Sequence, residues 1–450
     1  MKKGASWRKL ILAGTLSFNL FIGWNTGHTA ADGLAPETLW AKNFDTGFVL
    51  SEVQEKSGNG YVVMGTSDED NIYVANIDEQ GNQQWSKVFQ VQAKNSSGVE
   101  KKVTVSSIRH LDDGGYILGG TVPGFYFRYN DYVIAKTDEN GVIQWTQVVD
   151  SGAYGHFNMI REAKDGGYIN AIFTESLNIG SFHTAVQKRD RSGKEEWTTV
   201  LGAGGPDSPH VEARTIEEIA HGGYIVSGTK GNNVSIWKLN ASGKIDWEKT
   251  YGCNTGHVIQ TTDGGYVIVG SRSEDETILI KTDAMGEESW TKTLHGGQPV
   301  SLTDTSDGGY LIGQSQLVTK TNATASIQWS KPVSGLTKAI SMKSGGTLIL
   351  SSPDTLMKLA VYSPPTQTGL KLDSEDYSLS VGQTLDTVLT SVYGDQQSNV
   401  SRYGSYSTAD PSILSVDSQG NITGHKYGQT VLTATYKGLQ TTANVYVYGK

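Results

Sequence analysis

Short runs in which apolar and polar residues alternate recur along the whole chain, each broken by a polar turn containing glycine. DGGYVIVGS (Asp263–Ser271) is one, and similar stretches begin at Asp113, Asp165, His221 and Asp307. A period of two marks half-buried strands, not helices. Taking the tyrosine of each turn as an anchor places copies at Tyr61, Tyr116, Tyr168, Tyr224, Tyr266 and Tyr310, with Thr347 in a degenerate seventh. The spacing runs from 37 to 56 residues. Eight residues before each anchor stand Val53, Ile108, Ile160, Ile216, Val258, Leu302 and Ala339, all apolar. A register held through seven copies identifies a repeat architecture.

Downstream of each anchor the copies agree again. DYVIAKTDENGVIQW ends at Trp145, and equivalent runs end at Trp85, Trp197, Trp247, Trp290 and Trp329, the last without its turn glycine. Each run reads as a strand, an Asx–Gly turn and a second strand that carries Trp. Four short antiparallel strands at this period predict a β-propeller blade. Seven anchors are followed by only six Trp strands. The seventh, PETLWAKNF around Trp40, precedes them all. The predicted fold is therefore all-β: a seven-bladed propeller over residues 32–362 closed by an N-terminal strand, which would leave no free sheet edge.

The chain of 450 residues is too long for one core. It holds 54 Gly, 10 Pro, 21 Tyr and 10 Trp, with 18% charged residues, a turn-rich β composition. The formal charge of -9 provides no basic field for nucleic acid, so no nucleic-acid partner is expected. A basic start with Lys2, Lys3, Arg8 and Lys9, an apolar run and small residues up to Ala31 read as a secretory signal peptide over residues 1–31. A secreted or extracellular protein is expected, free or wall-associated, with no stable membrane insertion after cleavage, and monomeric. Cys253 is the single cysteine, which excludes an internal disulfide and a cysteine-based zinc site.

Two resemblances follow from these motifs. The D-G-G-Y-[IV] turn with K-x-D-x-x-G-x-x-x-W resembles the propeller repeat of many secreted bacterial proteins, over residues 38–362. Its Asx–Gly–Trp part is similar to the tryptophan-docking motif of pyrroloquinoline-quinone propellers. Quinone-binding members use a vicinal cysteine pair, which a chain with one Cys lacks, so the resemblance carries the fold and not the cofactor. After a Pro-containing linker at residues 363–369, residues 370–450 resemble a group 2 bacterial immunoglobulin-like domain. That resemblance rests on Val381-Gly382, Ala409-Asp410-Pro411, Val416, Gly420, Thr423-Gly424, Gly428 and Thr433-Ala434-Thr435, with Tyr406 where the family usually has Trp. It implies a spacer or adhesion module. Alternating short strands with glycine turns independently read as a small sandwich.

Propeller sites sit at a mouth of the central channel, near the innermost strands. His156, His210 and His257 fall there and suggest ligand contacts, or an open metal position. They stand 12, 14 and 9 residues before their anchors, hence at different heights, so no metal is expected. Charged residues near the same mouth are Glu52, Arg109, His110, Arg161, Glu162, Arg214, Glu217, Glu218 and Asp304, a set from which a carboxylate pair for acid–base chemistry can be drawn. An insertion in the second copy carries Phe125, Tyr126, Phe127, Arg128 and Tyr129, followed by Tyr132, a stacking surface for sugar rings or a partner protein. The recurring Trp residues read as packing between blades. No phosphate loop, Gly-x-Ser-x-Gly elbow or His-Glu-x-x-His helix occurs, and no cofactor is expected. The leading expectation is a secreted or cell-surface binding scaffold for a glycan or protein. The rival is a secreted carbohydrate-active lyase or hydrolase with its site at the channel mouth.

Overall fold

The computed structural model describes residues 35–449, apart from 45, 57–59, 125–129, 150–154, 177–180, 203–207, 221, 353, 364–365 and 394–395. The described residues form strands, turns and one short 3-10 turn, with no α-helix. Residues 1–31, expected from the sequence to be a signal peptide, and the aromatic residues 125–129 lie outside them.

Seven four-stranded antiparallel meanders follow one another in the chain. Sheet 1 runs Val49–Glu55, Tyr61–Thr66, Ile72–Ile77 and Gln83–Phe89. Sheet 2 begins at Thr104–His110, sheet 3 at Gly155–Glu162, sheet 4 at Val211–Glu218, sheet 5 at Asn254–Gln260 and sheet 6 at Pro299–Asp304. Sheet 7 takes Leu336–Ser341, Thr347–Ser351 and Thr355–Leu359, and its fourth strand is Thr38–Asn43 from the start of the chain. Trp40 pairs with Lys358 and Asn43 with Thr355 in that closing ladder. The inner strands of all seven sheets line one cavity.

The repeated residues explain each sheet. In sheet 5 the turn Asp263-Gly264-Gly265 joins the first two strands. The Asp263 carboxylate accepts from Gly265 N at 3.1 Å and pairs with Lys281 of the third strand at 2.9 Å. The same carboxylate–lysine pair occurs as Asp113–Lys136 at 2.6 Å, Asp165–Lys188 at 2.7 Å and Asp307–Lys320 at 2.9 Å. Gly264 has φ +82°, and a Cβ on Gly265 would lie 2.2 Å from the Thr282 carbonyl oxygen, so both glycines are required. The seven apolar residues eight before the anchors are all buried.

Between sheets, the outer strand of one docks on the turn between the third and fourth strands of the next. The Trp197 indole donates to the Ala241 carbonyl at 3.2 Å, and its ring lies 5.8 Å from that of Tyr224. Trp145 meets Tyr168, Trp247 meets Tyr266, and Trp40 meets Tyr61 in the same way. In sheet 1, Phe89 takes this place against Tyr116, while Lys87 covers the Trp85 ring at 4.9 Å. In sheet 6, where the turn glycine is missing, Ala325 adopts φ 60° and is buried with Trp290 packed nearby.

The C-terminal residues build separate sheets. Leu439–Tyr448 lies between Asp376–Ser380, which is parallel to it, and Gly428–Tyr436, with Ser405–Thr408 beyond. Two three-stranded sheets accompany this one. Tyr377, Leu379, Leu389, Leu414, Ile422, Leu432, Val445 and Val447 form their core. Tyr406 packs against that core, and its hydroxyl donates to the Ser401 carbonyl at 2.9 Å.

The docking geometry predicts two unequal glycine effects. Gly243 has φ +82°, and a Cβ there would meet the Trp197 ring at 2.5 Å, whereas a Cβ on Gly264 would meet open space. Gly243→Ala should cost about 2–4 kcal/mol, strained backbone plus overpacking. Gly264→Ala should cost about 1–2 kcal/mol, backbone alone. Urea midpoints of the two variants check this; equal losses would mean that the tryptophan contact contributes little.

Candidate functional site

Each inner strand carries a β-bulge. Its pairing with the second strand slips by one residue between Leu50 and Glu52 in sheet 1, and at the matching place in sheets 2, 3, 4, 6 and 7. In sheet 5 the slip comes one residue earlier. A bulge breaks the strict alternation of faces and re-aims side chains. Residues nine before each anchor therefore form one ring around the channel: Glu52, Ser107, Met159, Thr215, His257, Ser301 and Lys338. In sheets 1, 2, 3, 4, 6 and 7 the preceding residue also faces the channel; these include Asn158 and Arg214. The cavity has a volume of about 970 Å³.

Most polar groups on this wall are engaged. Glu52 is buried and paired with both Arg109 and Lys338. Burial pushes its carboxyl up, but the two cations outweigh burial and hold it below the usual carboxylate range. Arg161 Nη1 meets Glu217 at 2.8 Å, and Lys164 lies 3.9 Å from Glu218. Other side chains accept backbone N–H groups of the neighbouring inner strand or the turn after it: Gln54 from His110 at 2.8 Å, Ser107 from Ile160 at 3.2 Å, and Ser301 from Ala339 at 3.1 Å. Glu218 accepts from Lys164 N at 2.7 Å, and Gln260 from Ala220 N at 2.8 Å.

The three histidines separate. His257 lies in the channel wall, where burial, followed by the cations Arg214, Lys338 and Arg161, pushes it down to about 4. Its imidazole is neutral at pH 7. His156 lies outside the cavity lining, half exposed, 3.5 Å from Glu212, with its ring tilted against that of Phe173 at 5.0 Å. His210 is exposed and also outside the lining. Among the described residues no group of three or more His, Cys, Asp or Glu is placed to hold a metal.

Of the charged residues singled out near the mouth, Glu52, Arg109, Arg161, Arg214, Glu217, Glu218 and Asp304 line the channel, and His110 and Glu162 do not. Lys338 was not singled out, although it stands nine residues before Thr347, the same offset as Glu52 and His257. Tyr132 is buried, its hydroxyl donating to the Phe173 carbonyl at 3.0 Å, so it belongs to the packing. Phe125, Tyr126, Phe127, Arg128 and Tyr129 lie outside the described residues. Cys253 is buried, and burial pushes its thiol up to about 11, which makes it a poor nucleophile. No helix among the described residues is long and apolar enough to cross a membrane.

No family model matches the chain. A stretch of 78 residues, 17% of the chain, is 37% identical to an S-layer-related protein of Niallia circulans and spans 5% of that protein. Among solved structures the chain is similar to a catalytically inactive virginiamycin B lyase variant from Staphylococcus aureus with quinupristin. That likeness covers 72% of this chain and 99% of the other, at 13% identity and TM-score 0.50. The Dos1 propeller covers 74% of this chain over 83% of its own, at 11% identity and TM-score 0.48. At these identities the likeness concerns the fold alone, and the ring of four-stranded sheets is a β-propeller.

Two outcomes follow for the channel. Glu52→Gln leaves Arg109 and Lys338, both partly buried, without their counter-charge, and should cost about 1–3 kcal/mol. Adding Lys338→Met should restore part of that loss; the test is a double-mutant cycle by denaturant unfolding, and strict additivity would contradict the coupling. His257 has a folded pKa below its usual 6.5, so the unfolded chain binds its proton first. Stability drawn from this group therefore falls as pH drops from about 6.5 to about 4. His257→Gln should flatten the stability-versus-pH curve in that window, measured by urea midpoints at half-unit steps.

Proposed function

We propose that the chain is an exported, surface-associated binding protein. Its seven-bladed propeller, closed by the N-terminal strand, takes a glycan or protein ligand at the channel mouth. The aromatic residues Phe125–Tyr129, read from the sequence as a stacking surface, supply a separate contact, and the immunoglobulin-like domain at residues 370–450 acts as spacer or second contact. The leader at 1–31 supports export, and the stretch shared with an S-layer-related protein supports a place at the cell surface. One observation carries the choice of binding over catalysis. Among the described residues, the channel carboxylates Glu52, Glu217 and Glu218 are engaged with cations, Glu55 accepts a backbone N–H, Asp304 stands apart on the next strand, and no carboxylate is paired with His257 to orient it as a base would require.

The second reading is a secreted carbohydrate-active enzyme, and His257 is its one specific support. A neutral imidazole in a channel wall is in the protonation state of a general base. A single assay separates the two. The purified mature protein is incubated with cell-wall polysaccharide, and both co-sedimentation and the release of reducing or unsaturated ends are followed. Retention on the polymer with no product is expected. Product formation abolished by His257→Ala would overturn the binding reading.

A further inference from the structure

Subtracting the channel groups that serve the scaffold leaves a small remainder. Gln54, Ser107, Ser301, Glu218 and Gln260 accept backbone N–H groups of neighbouring strands and turns. Glu52, Arg109 and Lys338 hold one another, and Arg161 holds Glu217. Among the described residues, the side chains of Arg214, which is open to the channel solvent, and His257 have no hydrogen-bond or ion-pair partner in either role, and Asp304, nearer the turn of sheet 6, is the one carboxylate of the lining in the same position. Arg214 and His257 stand on adjacent inner strands, Val211–Glu218 and Asn254–Gln260, and both line the channel. Arg214 is the bulge residue of its strand, and the bulge turns it inward. Asn158, the bulge residue of the strand before, donates to the Ala213 carbonyl at 3.0 Å and braces that bulge.

The charge count at this depth is unbalanced. From ten to seven residues before the anchors, two carboxylates, Glu52 and Glu217, face four cations: Arg109, Arg161, Arg214 and Lys338. This local excess of positive charge lies inside a protein whose formal charge is -9. Narrow, low-dielectric walls concentrate such a field. Arg161 adds to it: its Nη1 is held by Glu217, while its Nε is buried without a partner. A planar guanidinium beside a neutral imidazole donor is suited to one ligand group, an oxyanion.

We infer that Arg214 and His257, backed by Arg161, form an oxyanion subsite in the propeller channel, so that its ligand carries a carboxylate or a phosphate. The inference rests on the binding reading above and names the chemistry its ligand must have. Arg214 supplies the charge and the fork of donors. His257 supplies a neutral ring N–H and leaves the charge to its neighbours. The surrounding charged and polar groups are Thr215, Glu217 and Glu212 on the strand of Arg214, Glu212 acting on it electrostatically, Arg161 on the strand before, Lys338 and Glu52 on the far strands, and Ser301 on the strand that follows His257. The cavity volume of about 970 Å³ admits a short oligosaccharide or a molecule of drug size.

Isothermal titration of the full mature chain tests this with three probes: trigalacturonate for the carboxylate, inorganic phosphate for the free anion, and maltotriose as a neutral sugar. Binding of trigalacturonate or phosphate is expected, weakened at least tenfold by Arg214→Ala and by His257→Ala, with maltotriose bound at least tenfold more weakly than trigalacturonate. Arg214→Lys should recover part of the affinity, because charge returns without the fork. Tighter trigalacturonate than phosphate identifies a sugar acid as the source of the oxyanion; the reverse identifies phosphate. An unchanged unfolding midpoint shows that the variants are folded. Anion binding indifferent to Arg214→Ala, maltotriose bound as tightly as trigalacturonate, or no binding of either anion would overturn the subsite. Retention on cell-wall polysaccharide would survive that failure. Cleavage of trigalacturonate would overturn the binding-only reading and leave the subsite in place.

Discussion

Every sheet of this ring has an inner strand with one edge that no other strand covers. Backbone N–H groups along such an edge need acceptors, because the channel wall shields them from bulk water. Seven of these edges converge on one axis. The chain meets the demand with side chains set at fixed distances before each turn: Gln54 for His110, Ser107 for Ile160, Ser301 for Ala339. The channel must therefore be polar whatever the protein does. A polar cavity here is first a consequence of strand geometry, and only what the strands do not use speaks about a ligand.

The outer perimeter solves the opposite problem. An outer strand that ended in solvent would leave each sheet free to slide on its neighbour. The indole or phenyl ring seated on the next turn fixes that contact, and Trp40 on the first strand carries it from sheet 7 back to sheet 1. The two halves of the repeat are tied within each sheet as well. The aspartate of the Gly-Gly turn reaches the lysine that precedes the Asx turn, as Asp263 reaches Lys281. This is why Asp, the glycines, Tyr, Lys and Trp recur together. They are one mechanical unit, and none of them faces the channel.

That division explains what was legible in the sequence. The meanders, their order and the closing strand depend on local periodicity, which repeats and can be counted. The degenerate copies were readable for the same reason: Ala325 holds its turn with φ 60° where glycine is missing. The channel depends on pairs formed between strands far apart in the chain. Glu52 and Lys338 are 286 residues apart, and no local pattern couples them. The bulges also hide from periodicity, because each advances the facing side chain by one residue without any change of composition. Glu52, His257 and Lys338 share one offset from the turn anchor and meet in the channel, whereas His156 and His210 share only a residue type: one sits at the start of its inner strand and the other precedes its strand, both outside the lining.

The electrostatics of the chain then follow from position more than from total charge. Acidic residues lie mostly on turns and outer strands, where Asp263, Asp307 and Glu287 neutralise lysines on the rim of the ring. At the depth of Glu52 and His257 the backbone is served by serine and glutamine, which accept without charge, while Glu55 and Glu218 accept nearer the turns. Cations added to such a ring are not automatically neutralised. Arg109 and Lys338 share one glutamate, and Arg214 has no partner among the described residues. An arginine held inward by a bulge, beside an imidazole kept neutral by its surroundings, has no role in holding the strands together. Its placement, open to the channel solvent, is where a group arriving from outside would meet it.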